Sequence, residues 1–141
     1  MLRDWLGKIL WWRAAAPGIG AMGEAAAAEF LGRKNGFRVV ARNWRHRRDE
    51  IDLVCRDGAV LVFVEVKTRA VRALVGGFVA IDKRKKRALR RAIRAYLGQL
   101  RAKPHTFRFD VVEVRHEEGR ATEILHFENI PLFPKNYHFE E

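Results

Sequence analysis

The stretch EIDLVCRDGAVLVFVEVKTR, residues 50–69, decides the fold of this chain. Two runs rich in β-branched and aromatic residues, 50–55 and 59–68, flank the dipeptide Asp57-Gly58. Asp-Gly is favoured in two-residue hairpin turns because both central positions of a type I′ turn need a positive φ. The pattern therefore predicts two antiparallel strands joined by a tight turn at this dipeptide.

A turn at Asp57-Gly58 also predicts which residues face each other across the hairpin. Ile51 would face Val64 and Leu53 would face Val62, so one face of the hairpin would be apolar. Side chains alternate along a strand, and the opposite face would therefore carry charge. The charged residues predicted on that face are Glu50, Asp52, Glu65 and Lys67.

The acidic residues of this face predict a metal site. Asp52 and Glu65 would lie on diagonal positions roughly 7 to 8 Å apart at the backbone, which their side chains can span. Carboxylates brought together in a partly buried site repel unless a cation compensates, and Mg²⁺ or Mn²⁺ prefers such oxygen ligands. This arrangement is typical of metal-assisted phosphodiester hydrolysis. Lys67 would orient the attacking water or offset charge on the phosphorus, and the sequence leaves both roles open.

The flanking segments predict an α/β fold, with a mixed sheet of about five strands flanked by helices. The hairpin is preceded by a helix and a strand and followed by a basic helix and two strands. The predicted ranges are helix 20–35, strand 37–44, basic turn 45–48, helix 81–100, and strands 106–115 and 121–127. The expected domain spans residues 18–128, between an amphipathic helix in 1–17 and an irregular tail in 129–141.

Composition limits the classes of partner and compartment. The chain has 28 Lys and Arg against 17 Asp and Glu, a formal charge of +11, which favours a polyanionic partner. Nucleic acid is the first expectation, and an anionic membrane surface is the second. Cys55 is the only cysteine, which excludes an internal disulfide or a multi-cysteine zinc site. We expect a cytoplasmic protein.

Basic residues cluster in two segments, before the acidic strand and on the second predicted helix. Residues 83–94 hold eight cations among twelve residues, a density that phosphate contacts would offset by counterion release. A solubilising surface is the alternative. Contacts of this kind carry no sequence information, so we expect recognition of backbone or structure. The predicted nucleic-acid-binding residues are Arg42, Arg45, Arg47, Arg48, Lys83, Arg84, Lys86, Arg87 and Arg90.

Residues 1–17 need testing as a targeting segment because they are apolar and rich in tryptophan. Asp4 and Lys8 interrupt the apolar run and leave it shorter than the core of a signal peptide. The spacing predicts a short amphipathic helix. We expect it to dock against the domain or a second copy, and contact with a membrane interface is the less favoured alternative.

The motif residues carry a family resemblance. Asp52, twelve intervening residues and Glu65-Val66-Lys67 resemble the PD-(D/E)xK motif of restriction-endonuclease-like nucleases, with Ile51 in place of the proline. GEAAAAEFLGRKNGFRVVARNWR, the hairpin and FRFDVVEV together resemble successive blocks of the YraN-type family of uncharacterised bacterial endonuclease-like proteins. The resemblance implies a restriction-endonuclease-like core similar to that of archaeal Holliday-junction resolvases, in which a helical glutamate joins the hairpin residues. Glu24 matches that glutamate.

The resemblance also implies a function. It identifies Glu24, Asp52, Glu65 and Lys67 as the catalytic set, with the three carboxylates holding Mg²⁺ or Mn²⁺. The expected activity is metal-dependent hydrolysis of phosphodiester bonds in DNA, with branched or damaged DNA suggested by the resolvase analogy alone. The alternative is a nucleic-acid-binding or scaffold module with little or no catalysis. A homodimer would supply the two sites that cutting both strands needs, and the sequence leaves the oligomeric state open.

Two further acidic residues receive separate interpretations. Glu50 is either a support for the metal ligands or half of a surface salt bridge. Asp110, two residues after Arg108 in a predicted strand, is interpreted as a structural ion-pair partner.

Overall fold

The chain forms a layered α/β domain in a computed structural model that describes residues 18–33, 36–73, 81–135 and 137. The amphipathic helix expected in 1–17 lies outside the described residues. The helices are α1 (Ile19–Gly32), a 3₁₀ turn (Val71–Ala73) and α2 (Lys83–Gln99). The strands are β1 (Phe37–His46), β2 (Asp49–Asp57), β3 (Val60–Ala70), β4 (Phe107–Glu117) and β5 (Arg120–Phe127).

The five strands form one sheet in the order β1-β2-β3-β4-β5. β3 and β4 are parallel, and the other neighbouring pairs are antiparallel. The parallel pair needs a crossover connection, and α2 lies within it. The predicted mixed sheet of about five strands flanked by helices is therefore confirmed.

The helices cover opposite faces of the sheet, so the central strands are buried on both sides. One core joins α2 to the sheet through Leu89, Ile93, Val54, Phe63 and Val111. The other joins α1 to the sheet through Ala27, Leu31, Leu53, Val64 and Val112. None of the helices in the described ranges is long and apolar enough to cross a membrane.

The predicted register of the central hairpin is wrong by two residues. Leu53 pairs with Val64, and the closing pair is Asp57 with Val60, so the turn residues are Gly58 and Ala59. Gly58 has a φ of +59°, and glycine at the first central position suits a type II′ turn, which needs positive φ only there. A shift of two keeps Leu53 and Val64 on one predicted face and Val54 and Phe63 on the other, because the strand period is two. Ile51 is the exception, since it packs with Val54 and Phe63 in the α2 core and not with Leu53.

Several element ends also differ from the prediction, and the clearest cases are the end of β1 and the end of α1. The basic turn is Arg47-Arg48 alone, since Arg45 and His46 extend β1 by pairing with β2, and Arg47 takes the turn conformation with a φ of +55°. Helix α1 ends at Gly32 rather than at Asn35. Its last turn is closed by the backbone N–H of the next residue, which donates to carbonyls within the helix.

The described part of the C-terminal tail is irregular but packs on the domain. Leu132 is buried in the core beneath α2, and the Ile130 N–H donates to the Phe109 carbonyl at 2.7 Å. The Arg90 Nη1 donates to the Leu132 carbonyl at 3.0 Å. These residues therefore contribute to the stability of the domain.

Asp110 is fully buried in β4 and forms the ion pair expected from the sequence. Its carboxylate accepts from Arg108 Nε at 2.9 Å and from the Asn129 N–H at 2.9 Å. His126 Nε2 lies 2.8 Å from the same carboxylate. Burial alone would raise the pKa of Asp110, but His126 and Arg108 together hold that pKa below its usual value. The role of Asp110 as a structural ion-pair partner is confirmed.

Candidate active site

The candidate site lies where β2 and β3 separate. The pairs between these strands run from Asp57–Val60 to Leu53–Val64, whereas the pairs between β3 and β4 continue from Leu61 to Ala70. The Val66 N–H donates a hydrogen bond to Oδ2 of the Asp52 side chain at 2.8 Å. Asp52 therefore reaches into the gap between the strands. We call this gap the fork.

Glu65 is the most buried acidic residue of the fork, at 3% exposure. Its Oε1 lies 3.4 Å from Lys67 Nζ and 3.1 Å from Lys85 Nζ. Its Oε2 is buried and has no hydrogen-bond partner among the described residues. A buried polar atom without a partner is destabilising, so this oxygen is suited to a ligand that accepts its lone pair.

The negative charge of Glu65 acts on Asp52. Burial raises the pKa of Asp52 well above its usual range, and the negative charge of Glu65 raises it further. The Val66 N–H and the ammonium of Lys85 act in the opposite direction. Two carboxylates held in this way resist simultaneous ionisation unless a cation lies between them.

Glu24 reaches the site from α1, on the other side of the sheet. Its Oε2 accepts from Asn43 Nδ2 at 2.8 Å, and the same amide nitrogen lies 3.3 Å from Glu50 Oε1. Burial raises the pKa of Glu24 above its usual value, although the Asn43 hydrogen bond opposes this shift. Asn43 has a φ of +47°, a conformation that asparagine tolerates better than most residues. Asn43 thus bridges two acidic residues, a role that the sequence analysis missed.

Close packing of α1 on β3 places Glu24 beside the fork. A Cβ added at Gly23 would lie 1.9 Å from Thr68 Oγ1, so only glycine fits without a local shift. Thr68 directly follows Lys67 in the sequence. Gly23 therefore allows the helix to approach the strand that carries Glu65 and Lys67.

Lys85 is the second residue that the sequence analysis did not place in the site. It lies in the first turn of α2, where the Asp82 side chain caps the helix by accepting from the Lys85 N–H at 2.8 Å. Because Lys85 lies within a run of cations, the sequence favoured a solvent-exposed position for it. One signal was present, because Lys85 precedes buried Leu89 by four residues and so shares its face of the helix.

The donor atoms suit a divalent ion held mainly by two residues. Mg²⁺ commonly binds one or two carboxylates and completes its coordination with water and substrate phosphate oxygens. Asp52 and the unpartnered Oε2 of Glu65 supply such a pair. No three His, Cys, Asp or Glu within the described ranges lie close enough together to form a metal site. Glu24 as a third ligand therefore stays a prediction.

Comparison with known proteins establishes the family. Residues 23–114 match the model of "Uncharacterised protein family UPF0102". The chain belongs to this family. UPF0102 is the YraN-type family that the sequence blocks resemble, and the predicted membership is confirmed.

Relatives with the same family name cover most of the chain. A UPF0102 protein of Symbiobacterium thermophilum is 51% identical over 96 residues, covering 68% of this chain and 80% of the relative. A UPF0102 protein of Mycolicibacterium gilvum is 44% identical over 80% of this chain and 93% of its own length. A UPF0102 protein of Beutenbergia cavernae is 40% identical over 82% of this chain and 98% of its own length.

The basic residues of this UPF0102 chain differ in exposure. Most of those predicted to bind nucleic acid are exposed: Arg42, Arg45, Arg47, Arg48, Lys83, Arg84 and Arg87. Lys86 and Arg90 are half-buried, and Arg90 is bonded to the tail. Arg45 lies 3.5 Å from Glu50, so Glu50 forms a salt bridge in addition to its contact with Asn43. Nucleic-acid contact by these residues stays a prediction.

A second charged group extends from the site along the parallel strands. Glu113 is buried beside Lys67 in the strand register and accepts from Arg69 at 3.4 Å and Arg115 at 3.2 Å. Arg115 also donates to Glu123 at 2.9 Å. No pattern in the sequence predicted this group. Glu113 therefore holds the guanidinium groups of Arg69 and Arg115, which lie two residues beyond the Lys67–Glu113 pair.

Proposed function

We propose that this UPF0102 protein is a metal-dependent endonuclease that hydrolyses phosphodiester bonds in DNA. The observation that carries the proposal is the Oε2 of Glu65. This oxygen is buried in the fork and has no hydrogen-bond partner among the described residues. The negative charge of the same carboxylate acts on Asp52, and its other oxygen lies 3.4 Å from Lys67 Nζ. Such a group is destabilising in the isolated fold and useful when a cation binds to it.

The chain's own residues have separate tasks in this proposal. Asp52 and Glu65 hold Mg²⁺ or Mn²⁺, which when bound polarises the phosphodiester and lowers the pKa of a coordinated water. Lys67 holds its ammonium beside Glu65 and either orients the attacking water or stabilises negative charge on the phosphorus. Glu24 supports the site from α1 through Asn43. Glu24 is also proposed as a third metal ligand.

The basic surface supports a nucleic-acid substrate. A net charge of +11 attracts a polyanion, and the exposed arginines around the β1–β2 turn and the start of α2 are suited to phosphates. Phosphate contacts position a backbone without selecting a sequence, so we propose recognition of DNA structure. Branched or damaged DNA is the substrate class suggested by the resemblance to resolvases.

Two further parts of the proposal follow from a DNA substrate. The protein would act in the cytoplasm, and the buried free thiol of Cys55 is compatible with a reducing compartment. Cleavage of both strands requires two sites, which a twofold homodimer would supply.

A second candidate function is a nucleic-acid-binding module that does not hydrolyse its ligand. One observation favours it, because the described residues do not bring three acidic or histidine side chains together around one point. A metal held by Asp52 and Glu65 alone would then serve binding or stability. Of the two candidates, only the endonuclease would cleave DNA.

Cleavage assays separate these candidates. Purified protein would be incubated with branched, single-stranded and duplex DNA in Mg²⁺ or Mn²⁺, alongside Glu65→Gln and Lys67→Met. The proposal predicts cleavage by the wild type, with a loss of about a hundredfold or more in each variant. Glu117→Gln and Lys135→Met, which change exposed residues of the same types, are the matched controls and should cleave normally. DNA binding without metal-dependent cleavage would favour the module, and equal cleavage by all variants would reveal a contaminant.

A further inference from the structure

Lys85 places an ammonium group inside the acidic site from a different element than the motif lysine. Its Nζ lies 3.1 Å from Glu65 Oε1, and its side chain is only 26% exposed. Burial alone lowers the pKa of Lys85, but the charges of Glu65 and Asp52 together raise that pKa above its usual value. The ammonium therefore interacts with both carboxylates proposed to bind metal.

Helix α2 fixes the direction from which Lys85 enters. The Asp82 side chain caps the helix at the Lys85 N–H, so the first turn is anchored directly next to the site. Lys67, in contrast, lies on β3 itself, two residues from Glu65. Both lysines contact one oxygen of Glu65, and the other oxygen has no hydrogen-bond partner in the described part of the chain.

We propose that Lys85 is the internal counter-cation of the fork and is displaced when a divalent metal ion binds to Asp52 and Glu65. This inference rests on the proposed metal-dependent function. Without metal, the two carboxylates need a nearby positive charge, and Lys85 supplies it. A divalent ion and an ammonium at the same carboxylates repel each other, so the ion binds more tightly when the lysine leaves.

The displaced side chain remains on the first turn of the basic helix. Its neighbours Lys83, Arg84 and Lys86 are among the residues predicted to contact phosphate. Lys85 is thus a positioning residue. Its ammonium contacts Glu65 before the metal ion binds and lies beside the substrate phosphates afterwards.

The exchange predicts an unusual sign for the effect of Lys85 on metal affinity. Removing a residue that only maintains the shape of the site weakens metal binding. Removing a competing cation strengthens it, because the effects of two competing cations on each other are reciprocal. The sign of the change therefore separates the two roles.

The first test measures Mn²⁺ binding by electron paramagnetic resonance without DNA. Lys85→Met should bind Mn²⁺ about tenfold more tightly than the wild type, and Lys85→Arg should remain close to the wild type. Lys135→Met makes the same change in net charge at an exposed position outside the proposed site and should have little effect. Circular dichroism and the thermal midpoint confirm that each variant is folded.

The second test uses the unmodified protein and so does not depend on the folding of a variant. Acetylation of each lysine with acetic anhydride is followed by mass spectrometry with and without Mg²⁺. The Lys85 rate should increase severalfold with Mg²⁺, while the Lys135 rate stays constant. An unchanged Lys85 rate would overturn the proposed displacement.

The outcomes also distinguish this proposal from the proposed function. Mn²⁺ binding that Glu65→Gln abolishes, together with equal or weaker binding by Lys85→Met, would overturn the displacement and leave the metal site intact. Absence of Mn²⁺ binding in both the wild type and Lys85→Met would overturn both proposals.

Discussion

The carboxylate of Asp52 accepts a hydrogen bond from the Val66 N–H at 2.8 Å, across the point where their two strands separate. A side chain thus replaces a backbone partner of the sheet. The same interaction holds Asp52 next to Glu65, the residue that precedes Val66. The fork in the sheet is therefore what concentrates negative charge at the candidate site.

Replacing Asp52 with asparagine should stabilise the metal-free protein. The raised pKa of Asp52 means that the folded chain binds its proton more tightly than the unfolded chain. The contribution to stability is present below the usual aspartate pKa and is lost as pH rises through the raised value. The gain in free energy of unfolding for Asp52→Asn, about 1 kcal/mol, should therefore grow as the pH rises from the usual aspartate pKa toward the raised pKa of the folded protein.

Chemical denaturation across this pH range provides the measurement. Glu117→Gln, at an exposed position, is the control for loss of one negative charge and should show no such dependence. An Asp52→Asn variant less stable than the wild type at the higher pH would contradict the electrostatic account of the fork.

The approach of α1 to β3 predicts a rescue experiment. Gly23→Ala should destabilise the protein by about 1 to 3 kcal/mol despite the better helix propensity of alanine, because its Cβ meets Thr68. Thr68→Ala removes the nearest clashing atom, so the double variant should recover much of the loss. Independent additive effects in a double-mutant cycle would show that this contact is not limiting.

Asp110 should matter for stability and not for metal. Asp110→Asn should lower the free energy of unfolding by about 2 to 4 kcal/mol, because it removes one member of a buried ion pair and leaves Arg108. Its lowered pKa adds stability above the usual aspartate pKa that is lost as pH falls through the lowered value. Mn²⁺ affinity of the folded variant should equal that of the wild type. Weakened Mn²⁺ binding would place Asp110 in the functional site.

Asn43 should act through Glu24. Asn43→Gly preserves the positive φ and removes the amide, whereas Asn43→Ala also strains the backbone. Both should reduce DNA cleavage by a similar factor, about tenfold, and only Asn43→Ala should lower the thermal midpoint strongly. Unchanged cleavage in Asn43→Gly would exclude the bridge from the proposed mechanism.

The basic surface predicts a graded dependence of DNA binding on salt. Arg47 and Arg87 are exposed, one on the β1–β2 turn and one on α2. Replacing either with alanine should reduce the slope of log affinity against log salt by about 0.9 if that residue neutralises one phosphate. Lys135→Ala is the control of equal charge. Slopes equal to that of the wild type would indicate a solubilising surface.

The sequence was informative where local patterns decide structure. Alternating apolar residues predicted the strands around Glu65, and the helical stripe through Leu89 and Ile93 predicted α2. The predicted register of the hairpin was wrong because Asp57-Gly58 and Gly58-Ala59 are both acceptable turn dipeptides. The choice between them depends on pairing across the whole hairpin.

The candidate site was only partly predictable for a different reason. The motif identified Asp52, Glu65 and Lys67, which the fold brings together with Glu24 beside them. Asn43 and Lys85 depend on the separation of two strands and on the position of a helix start, which are tertiary features. The four-residue spacing from Lys85 to Leu89 indicates a shared helix face, but it gives no sign that this face meets buried carboxylates.

The most direct test of the central claim is a crystal structure of the protein soaked in Mn²⁺, with the ion located by its anomalous scattering. We predict a peak about 2.2 Å from Oε2 of Glu65, with Asp52 as a second ligand. Lys85 should have moved away from Oε1. A fully soaked crystal with no peak within bonding distance of Glu65 would contradict the account.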